Sequence, residues 1–583
     1  MKKILAIGTA LLCLSATPAM SQTRTVKLKV IETSDVHGYF FPYDFIEGRE
    51  LKGTLARANT YITKQRKEYG DRLLLIDNGD ILQGQPCVYW PNYVMPEDEN
   101  LAASVMNYMQ YDAAAVGNHD IETGHNVYDK WIREVRCPML GANIIDTVNE
   151  LPYVRPYAIV ERDLGPATVK IAIIGMITPT IPCWLNENLW QGLQFQDMVK
   201  CANKWVRYIQ QVEQPDLIFG LFHSGLNGGI TMENGIEEDA TERVAREVEG
   251  FDAIFFGHDH MVHNITLKSP SGRDVLCLDP SCWALNVAEA TITLTYDGDR
   301  LVKKDFKGEI VSVRDEQTDQ QMVSHFQESI DQIKKYVGRK IGSFATAAAT
   351  RDCYFGPSAF TDFIHELQLR ISGADISFNA PLSFDSRIEK GTVTVADMFK
   401  LYRFENQLYV MKMTGREIRG HLEMSYDLWA NTMQGPDDHL LLLNDESRGD
   451  QQRMGFRNYT FNFDSASGID YEVDVTKPNG QKVHILRMTN GEPFDEEKTY
   501  KVVMNSYRAN GGGDLMIHGA GIPKDELDNR IVYHSELDLR HYLMEEIERQ
   551  GTVRPQAAKN WKFVPEKWTK AAAQRDRRLI FGK

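Results

Sequence analysis

The stretch AAAVGNHDIETG runs from Ala113 to Gly124. Three alanines and Val116 make a short apolar run, and Asn118, His119, Asp120 and Glu122 come after it almost without a gap. Five other runs of the same kind lie between about 24 and 300: Val26–Ile31, Leu73–Ile76, Val169–Ile174, Leu217–Phe222 and Ala253–Phe256. Between them lie segments of helical period, such as 51–70, where Leu51, Leu55, Ala58 and Ile62 recur on one face. Alternating short apolar strands and amphipathic helices predict an α/β layered domain.

The functional clue lies in the residues at the end of these runs. Ile31 leads to Asp35 and His37, Ile76 to Asp80, Val116 to Asn118 and His119, Phe222 to His223, and Phe256 to His258 and His260. In α/β sheets ligands bind outside the carboxyl ends of the strands, so these five loops can converge on one crevice. A lone histidine at a strand end is ordinarily a turn residue, but five strand ends carrying such groups are not explained that way. The donors are carboxylate, amide and imidazole, with no thiolate. That set suits zinc, manganese, iron or cobalt without choosing among them. In Asp35-x-His37 an extended backbone puts both side chains on one side, within reach of one ion.

The series D-x-H, G-D-x-x-x-G, G-N-H-D, H and G-H-x-H resembles the calcineurin-like metallophosphoesterase superfamily. Over nearly the whole chain the resemblance is to the secreted 5'-nucleotidase family. Its second half looks closer to the 2',3'-cyclic-nucleotide 2'-phosphodiesterase/3'-nucleotidase branch. The resemblance implies a layered β-sandwich flanked by helices over residues 24–314, and a mixed α/β nucleotide-binding domain behind it. It also implies two divalent metals, one held by Asp35, His37, Asp80 and His260 and the other by Asp80, Asn118, His223 and His258, with Asp80 bridging. Two such ions can clamp a phosphate, lower the pKa of bridging water and stabilise both oxygens of an in-line displacement. His119 resembles the catalytic histidine of the family. An aspartate three residues further on orients that histidine in the nucleotidases; here the position is Glu122, one methylene longer, and Asp120 competes for the role.

Residues 315–340 are polar with a sparse apolar stripe and read as a linking helix before a second domain at about 341–565, with 315–345 expected as the hinge. Three stretches of that domain bear on substrate: NAPLSFDSRIEKG (379–391), LYRFENQLYVMKMTG (401–415) and NSYRANGGGDL (505–515). By resemblance Phe404 and Tyr507 match the aromatic pair that sandwiches a nucleobase, and Asn406 and Asp514 match residues that hydrogen-bond base and ribose. Stacking on an aromatic face accepts every base, so little base preference is expected. The glycine run 511–513 reads either as a close backbone approach to ligand or as a plain turn. Arg387 lies near, but out of register with, the phosphate-binding arginine of the 5'-nucleotidase branch.

Net charge is -16 over 583 residues, which argues against a nucleic-acid polymer as partner and leaves a small nucleotide as the expected one. No protein partner is inferred. The start MKKILAIGTALLCLSATPAMSQ has a charged beginning, an apolar core and a small-residue cleavage site, so 1–21 read as a signal peptide. Leu12 before Cys13 speaks against a lipid anchor, and no later run approaches a transmembrane length. A periplasmic or secreted protein is expected. Seven further cysteines show no regular spacing, although Cys277 and Cys282 could pair. The activity expected is hydrolysis of nucleoside 2',3'-cyclic phosphates and 3'-nucleotides. A 5'-nucleotidase on the same scaffold is the alternative, and a silent nucleotide- or metal-binding module the reading from outside enzymology.

Overall fold

The computed structural model describes residues 23–582 except 166, 233, 299 and 450–452. Residues 1–21, read as a signal peptide, and Cys13 within them lie outside the described residues.

The first domain is built on two six-stranded sheets. In one, Thr23–Thr33 lies parallel to Leu73–Asp77, which continues in parallel to Ala113–Ala115 and Met139–Leu140. On its other side it pairs antiparallel with Asn286–Asp297, and that strand with Arg300–Ser312. In the other sheet Thr168–Ile177, Leu217–His223, Ala253–Phe256 and Asp274–Pro280 run parallel, with antiparallel edges at Tyr157–Asp163 and Val262–Lys268. All six apolar runs of the sequence are strands here.

Strand parity explains the layers. Alternate side chains of a strand leave opposite faces. Val30, Leu74, Ile76, Ala113 and Ala115 of the first sheet meet Ile171, Ile173, Phe219, Leu221 and Phe255 of the second in one buried core. Their neighbours Ile31, Leu75 and Ala114 pack with Leu55, Ala58 and Ile62 of the helix Leu55–Tyr69. On the far side Ala172, Ile174, Ile254 and Phe256 pack with Ala202, Val206 and Ile209 of the helix Met198–Val212. The result is a β-sandwich with helices on both outer faces.

The segment read as a free linking helix is instead two helices, Gln320–His325 and Gln327–Val337, lying on the first domain. Its stripe of Met322, Phe326, Ile330, Ile333 and Val337 is buried in the same core as Leu55 and Ile62. Asn59 also donates to Asp319 at 2.7 Å. Buried apolar area of this size anchors the segment, so any pivot between domains falls after Val337.

The second domain centres on a five-stranded sheet in the order Ser465–Ser467, Ile376–Asn379, Thr499–Asn505, Gln407–Thr414, Ile531–Asp538. Tyr409, Met411 and Met413 face a core with Trp429 and Phe456, while Leu408 and Val410 face one with Leu367 and Leu543. The chain past 565 does not leave this domain. Helix Glu566–Phe581 returns to it, and its buried Asp576 accepts from the Leu440 and Leu441 amides at 2.8 and 3.0 Å. All seven described cysteines are free, Cys277 and Cys282 included. No helix among the described residues is long and apolar enough to cross a membrane.

Candidate metal centre and active site

The carboxyl ends of the parallel strands deliver the site. Asp35, His37 and His260 bring ligand atoms within 4.8 Å of one another, and so do Asp80, His223 and His258. Asp80 stands between the groups: its Oδ2 is 3.2 Å from His223 Nε2 and 3.9 Å from His37 Nε2. Asn118 Oδ1 lies 2.9 Å from His223 Nε2. Five of these residues sit in left-handed backbone: Asp35, His37, Asp80, His258 and His260 have φ of 51°, 50°, 55°, 84° and 59°. Such conformations cost energy for any residue with a Cβ and gather where a structure must aim side chains.

The donor set fits divalent metals. His223 Nδ1 donates to the Asn78 carbonyl at 2.7 Å, and His37 Nδ1 to Gln83 Oε1 at 3.1 Å. In each neutral ring that leaves Nε2 as a bare lone pair. The His223 lone pair then faces the oxygen of Asn118, and His37 Nε2 faces His260 Nε2 at 3.2 Å. Asp35 Oδ1 is buried and has only His260 Nε2 beside it, at 3.3 Å and outside good hydrogen-bond geometry. Imidazole nitrogens, an amide oxygen and buried carboxylate oxygens converging at these distances form a set that a cation would satisfy. Burial outweighs the Asp80 carboxylate at His37 and pushes that imidazole down to about 3, so it is neutral and able to ligate.

His119 and its neighbours separate the two competing acids. His119 Nδ1 lies 2.5 Å from Glu122 Oε2, the glutamate reaching back three residues across a helical turn. The His119 amide donates to Asp80 Oδ1 at 2.8 Å. Burial disfavours the imidazolium, yet Asp80 and Glu122 together raise His119 to about 9. Asp120 does something else. Its Oδ2 accepts from the amides of Asp80 and Gly117 at 2.9 and 2.8 Å, and its Oδ1 from those of Ile81 and Leu82 at 2.9 Å each. Asp120 is thus fully engaged in tying the loop of Asp80 to that of Asn118. Gly117 makes the approach feasible, because a Cβ there would fall 2.2 Å from Asp80 Oδ1.

Glu238 and Asp239 carry no motif that marks them in the sequence. They come after the turn of a short hairpin, Gly228–Thr231 with Glu237–Asp239, and form a third close group with His258. Glu238 Oε1 is 3.0 Å from His258 Nε2. Their signal in the sequence was only an acidic pair 15 residues past His223. A fourth group, Asp259, His263 and Asp279, lies beside the His258 and His260 loop.

One cavity of about 2380 Å³ spans the metal-type residues and the second domain. Phe404, Asn406, Tyr507 and Asp514 all line it. Arg403, which no sequence pattern singles out, lines it too, its guanidinium 5.9 Å from the Phe404 ring centre. Arg387 does not line it: its exposed guanidinium pairs with Glu389 at 2.6 Å. Arg387 is a substrate-binding candidate in the sequence only as a neighbour, out of register, of the family's arginine; the strand Arg387–Ile388 carries it to the outside. The glycine run serves packing rather than ligand approach. A Cβ on Gly512 would meet the Tyr507 ring at 2.5 Å, and one on Gly513 would meet Asn462 Oδ1 at 2.0 Å. Buried Arg508 fixes the same loop through Asp464 Oδ2 at 2.8 Å and the Phe461 carbonyl at 2.8 Å.

Comparison with known proteins agrees with this architecture. Residues 28–262 match the calcineurin-like phosphoesterase family and 338–518 the 5'-nucleotidase C-terminal domain. The chain is 27% identical to a 2',3'-cyclic-nucleotide 2'-phosphodiesterase/3'-nucleotidase of Haemophilus influenzae, over 96% of this chain and 91% of that one. It is 28% identical to the trifunctional nucleotide phosphoesterase of Bacillus subtilis over 93% of its own length, but spans 39% of that longer protein. The fold superposes on a putative 5'-nucleotidase from Staphylococcus aureus with a TM-score of 0.75 at 22% identity, covering 92% of this chain and 99% of that one. The two matched domains in this order, and relatives aligned along almost the whole chain, show that it belongs to the 5'-nucleotidase family of calcineurin-like metallophosphoesterases.

Proposed function

We propose that the protein is an exported dimetal phosphohydrolase acting on nucleotides, with nucleoside 2',3'-cyclic phosphates and 3'-nucleotides as its substrates. The observation that carries this is the shared cavity: His37, Asp80, Asn118, His258 and His260 line one end, with Asp35 and His223 grouped with them, and Phe404, Asn406, Tyr507 and Asp514 come from the other domain. The relatives named as 2',3'-cyclic-nucleotide 2'-phosphodiesterases/3'-nucleotidases support the choice of substrate. Export is read from residues 1–21 of the sequence.

Divalent metals bound by the seven ligands would supply Lewis acidity to the phosphoryl oxygens and make water a competent nucleophile near neutral pH. The protein does the rest. Phe404 and Tyr507 hold the base by stacking, which fixes the ester relative to the ligands without selecting the base. His119, its Nδ1 held by Glu122, has Nε2 left to offer a proton to the departing oxygen. Asp120 keeps the Asp80 and Asn118 loops in register.

The test is phosphate and product release from the purified protein with added manganese or zinc. Its substrates are 2',3'-cyclic AMP, 3'-AMP, 5'-AMP and bis-p-nitrophenyl phosphate. Turnover of the first two in preference to 5'-AMP is expected. Preference for 5'-AMP would establish the 5'-nucleotidase reading, which the fold-level likeness to 5'-nucleotidases favours. Hydrolysis of the synthetic diester alone would remove the nucleotide pocket from the argument.

A further inference from the structure

A line of buried polar groups crosses the domain boundary from a ligand of the first domain to the aromatic loop of the second. His37 Nδ1 donates to Gln83 Oε1 at 3.1 Å and shares the proton with the Gln83 backbone carbonyl at 3.2 Å. Gln83 Nε2 donates to Glu405 Oε2 at 3.3 Å. Glu405 Oε1 accepts from Arg540 Nη1 at 2.9 Å, and Arg540 also donates from Nε to the Tyr402 carbonyl at 3.0 Å and from Nη2 to the Arg403 carbonyl at 2.7 Å. Gln83 is 7% exposed, and the Glu405 and Arg540 side chains are 8% and 3% exposed. Glu405 is the residue next to Phe404 in the Arg403–Asn406 loop.

The polarity of the line is determined. A carboxylate only accepts, and a guanidinium only donates. Glu405 therefore requires the amide nitrogen of Gln83, which turns the amide oxygen toward His37. That oxygen in turn requires a proton on Nδ1, so the imidazole must present Nε2 as its lone pair. Reversing the amide would oppose oxygen to carboxylate and N–H to N–H between largely buried side chains. Outer partners that fix the tautomer of a ligating imidazole are worth about 10–100-fold in metal affinity.

We propose that Gln83, Glu405 and Arg540 form a positioning relay through which the second domain holds the orientation of His37, whose tautomer the Gln83 backbone carbonyl also favours, so that metal affinity in the first domain depends on the loop that carries Phe404. The relay rests on reading His37 as a metal ligand. None of its three members belongs to the metal-type groups, although Gln83 and Glu405 line the cavity. Reciprocity of linked binding requires that a ligand seated on that loop and a metal at His37 each tighten the other if the loop is held in place by the relay.

The experiment measures manganese and zinc affinity of the chelator-stripped full-length protein, by competition with a fluorescent chelator and by electron paramagnetic resonance of bound Mn²⁺. Variants are Gln83→Ala, Glu405→Ala, their double and Glu405→Gln. Each alanine variant is expected to lose about tenfold in affinity. The double should lose no more than the worse single, because both interrupt one line. Glu405→Gln, whose single oxygen can serve either Arg540 or Gln83 but not both, should recover only part of the loss. A Glu405→Ala protein that binds metal as the parent does, or losses that multiply in the double, would overturn the relay. A merely structural Glu405 would lower melting temperature and leave affinity alone. If Glu405→Ala does not fold, because Arg540 is buried without its partner, Glu405→Leu combined with Arg540→Met removes both charges and gives the same reading. Failure of the parent to bind either metal would instead refute the metal centre itself.

Discussion

Asp120→Asn is the sharpest test of how the site is held. The change is isosteric, so it opens no cavity, yet one carboxylate oxygen becomes an amide nitrogen. Each oxygen accepts two backbone N–H groups: those of Ile81 and Leu82 on Oδ1, and those of Asp80 and Gly117 on Oδ2. Whichever way the new amide sits, two buried donors lose their acceptor and face another donor. A buried donor left unsatisfied costs about 1–3 kcal/mol, so the expected loss is about 2–6 kcal/mol. Burial and the Asp80 charge raise Asp120 to about 6, so it is ionised at pH 7.5 and all four bonds are charge-assisted. The assay is urea unfolding of chelator-stripped protein at that pH, monitoring the first-domain transition, with a metal titration alongside. Metal affinity should fall as well, because the Asp80 amide is one of the groups released. A loss under about 1 kcal/mol, which is below one unsatisfied donor, with kcat reduced instead would refute the reasoning and return Asp120 to the rival role of orienting His119.

Three further outcomes rest on single contacts. Glu122→Gln removes the charge held 2.5 Å from His119 Nδ1; kcat on 3'-AMP should drop about 10–100-fold with KM unchanged, as steady-state kinetics would register, part of the 10²–10⁴ that a positioned acid supplies. Tyr507→Ala should raise KM for 3'-AMP by about 5–100-fold, equivalent to about 1–3 kcal/mol of stacking, and leave hydrolysis of bis-p-nitrophenyl phosphate untouched. His365, buried between the Ser377 and Ser465 hydroxyls at 2.8 and 3.2 Å, is held neutral by burial with its pKa lowered from 6.5 to about 4. Its contribution is present above about pH 6.5 and lost as pH falls toward 4, where only the unfolded chain takes the proton, a loss of up to about 3 kcal/mol. His365→Asn should flatten that limb of the stability profile in unfolding experiments between pH 7 and 4.5; an unchanged slope counts against it.

The first domain was legible because its rule is local: an apolar run, then donors at its end. Nothing long-range was needed to nominate Asp35, His37, Asp80, Asn118, His223, His258 and His260. Choosing between Asp120 and Glu122 was different. Both are acids just past His119, and only the helical turn decides that the residue three along reaches the imidazole while Asp120 turns to amides, three of them from 80–82. The relay from Gln83 to Glu405 spans 322 positions, and no pattern in either segment announces the other. Arg387 was placed by proximity in sequence to a motif, but one short strand sends it outward to Glu389. The docked helices at 320–337 are a case where the signal was present and underweighted. Met322, Phe326, Ile330, Ile333 and Val337 keep helical spacing throughout, which is the pattern of a segment with a surface to bury.

The left-handed backbone at five ligands bears on whether metal builds the site or finds it. Each such residue costs about 1–3 kcal/mol. The loops are latched to one another by backbone: Asp35 N to Gly79 O at 3.1 Å, His37 N to Asp80 O at 2.9 Å, Asn78 N to Thr33 O at 2.9 Å, and Trp283 N to Asp35 O at 2.8 Å. The His258 amide adds a bond to Asp35 Oδ2 at 3.1 Å. Each latch stands on strands whose Val30, Ile76 and Phe255 are fully buried, and each such side chain contributes about 1.5–3 kcal/mol by burial. The loops are thus tied to the buried strands by backbone bonds, and the ligands should be in place before metal arrives. Hydrogen exchange on chelator-stripped and metal-loaded protein decides it: amides at 35–37, 78–82 and 258 should be slow in both. Exchange at those positions that is fast without metal and slow with it would mean that the ion assembles the loops, and that the strain at Asp35, His37 and Asp80 is offset by coordination and not by the fold.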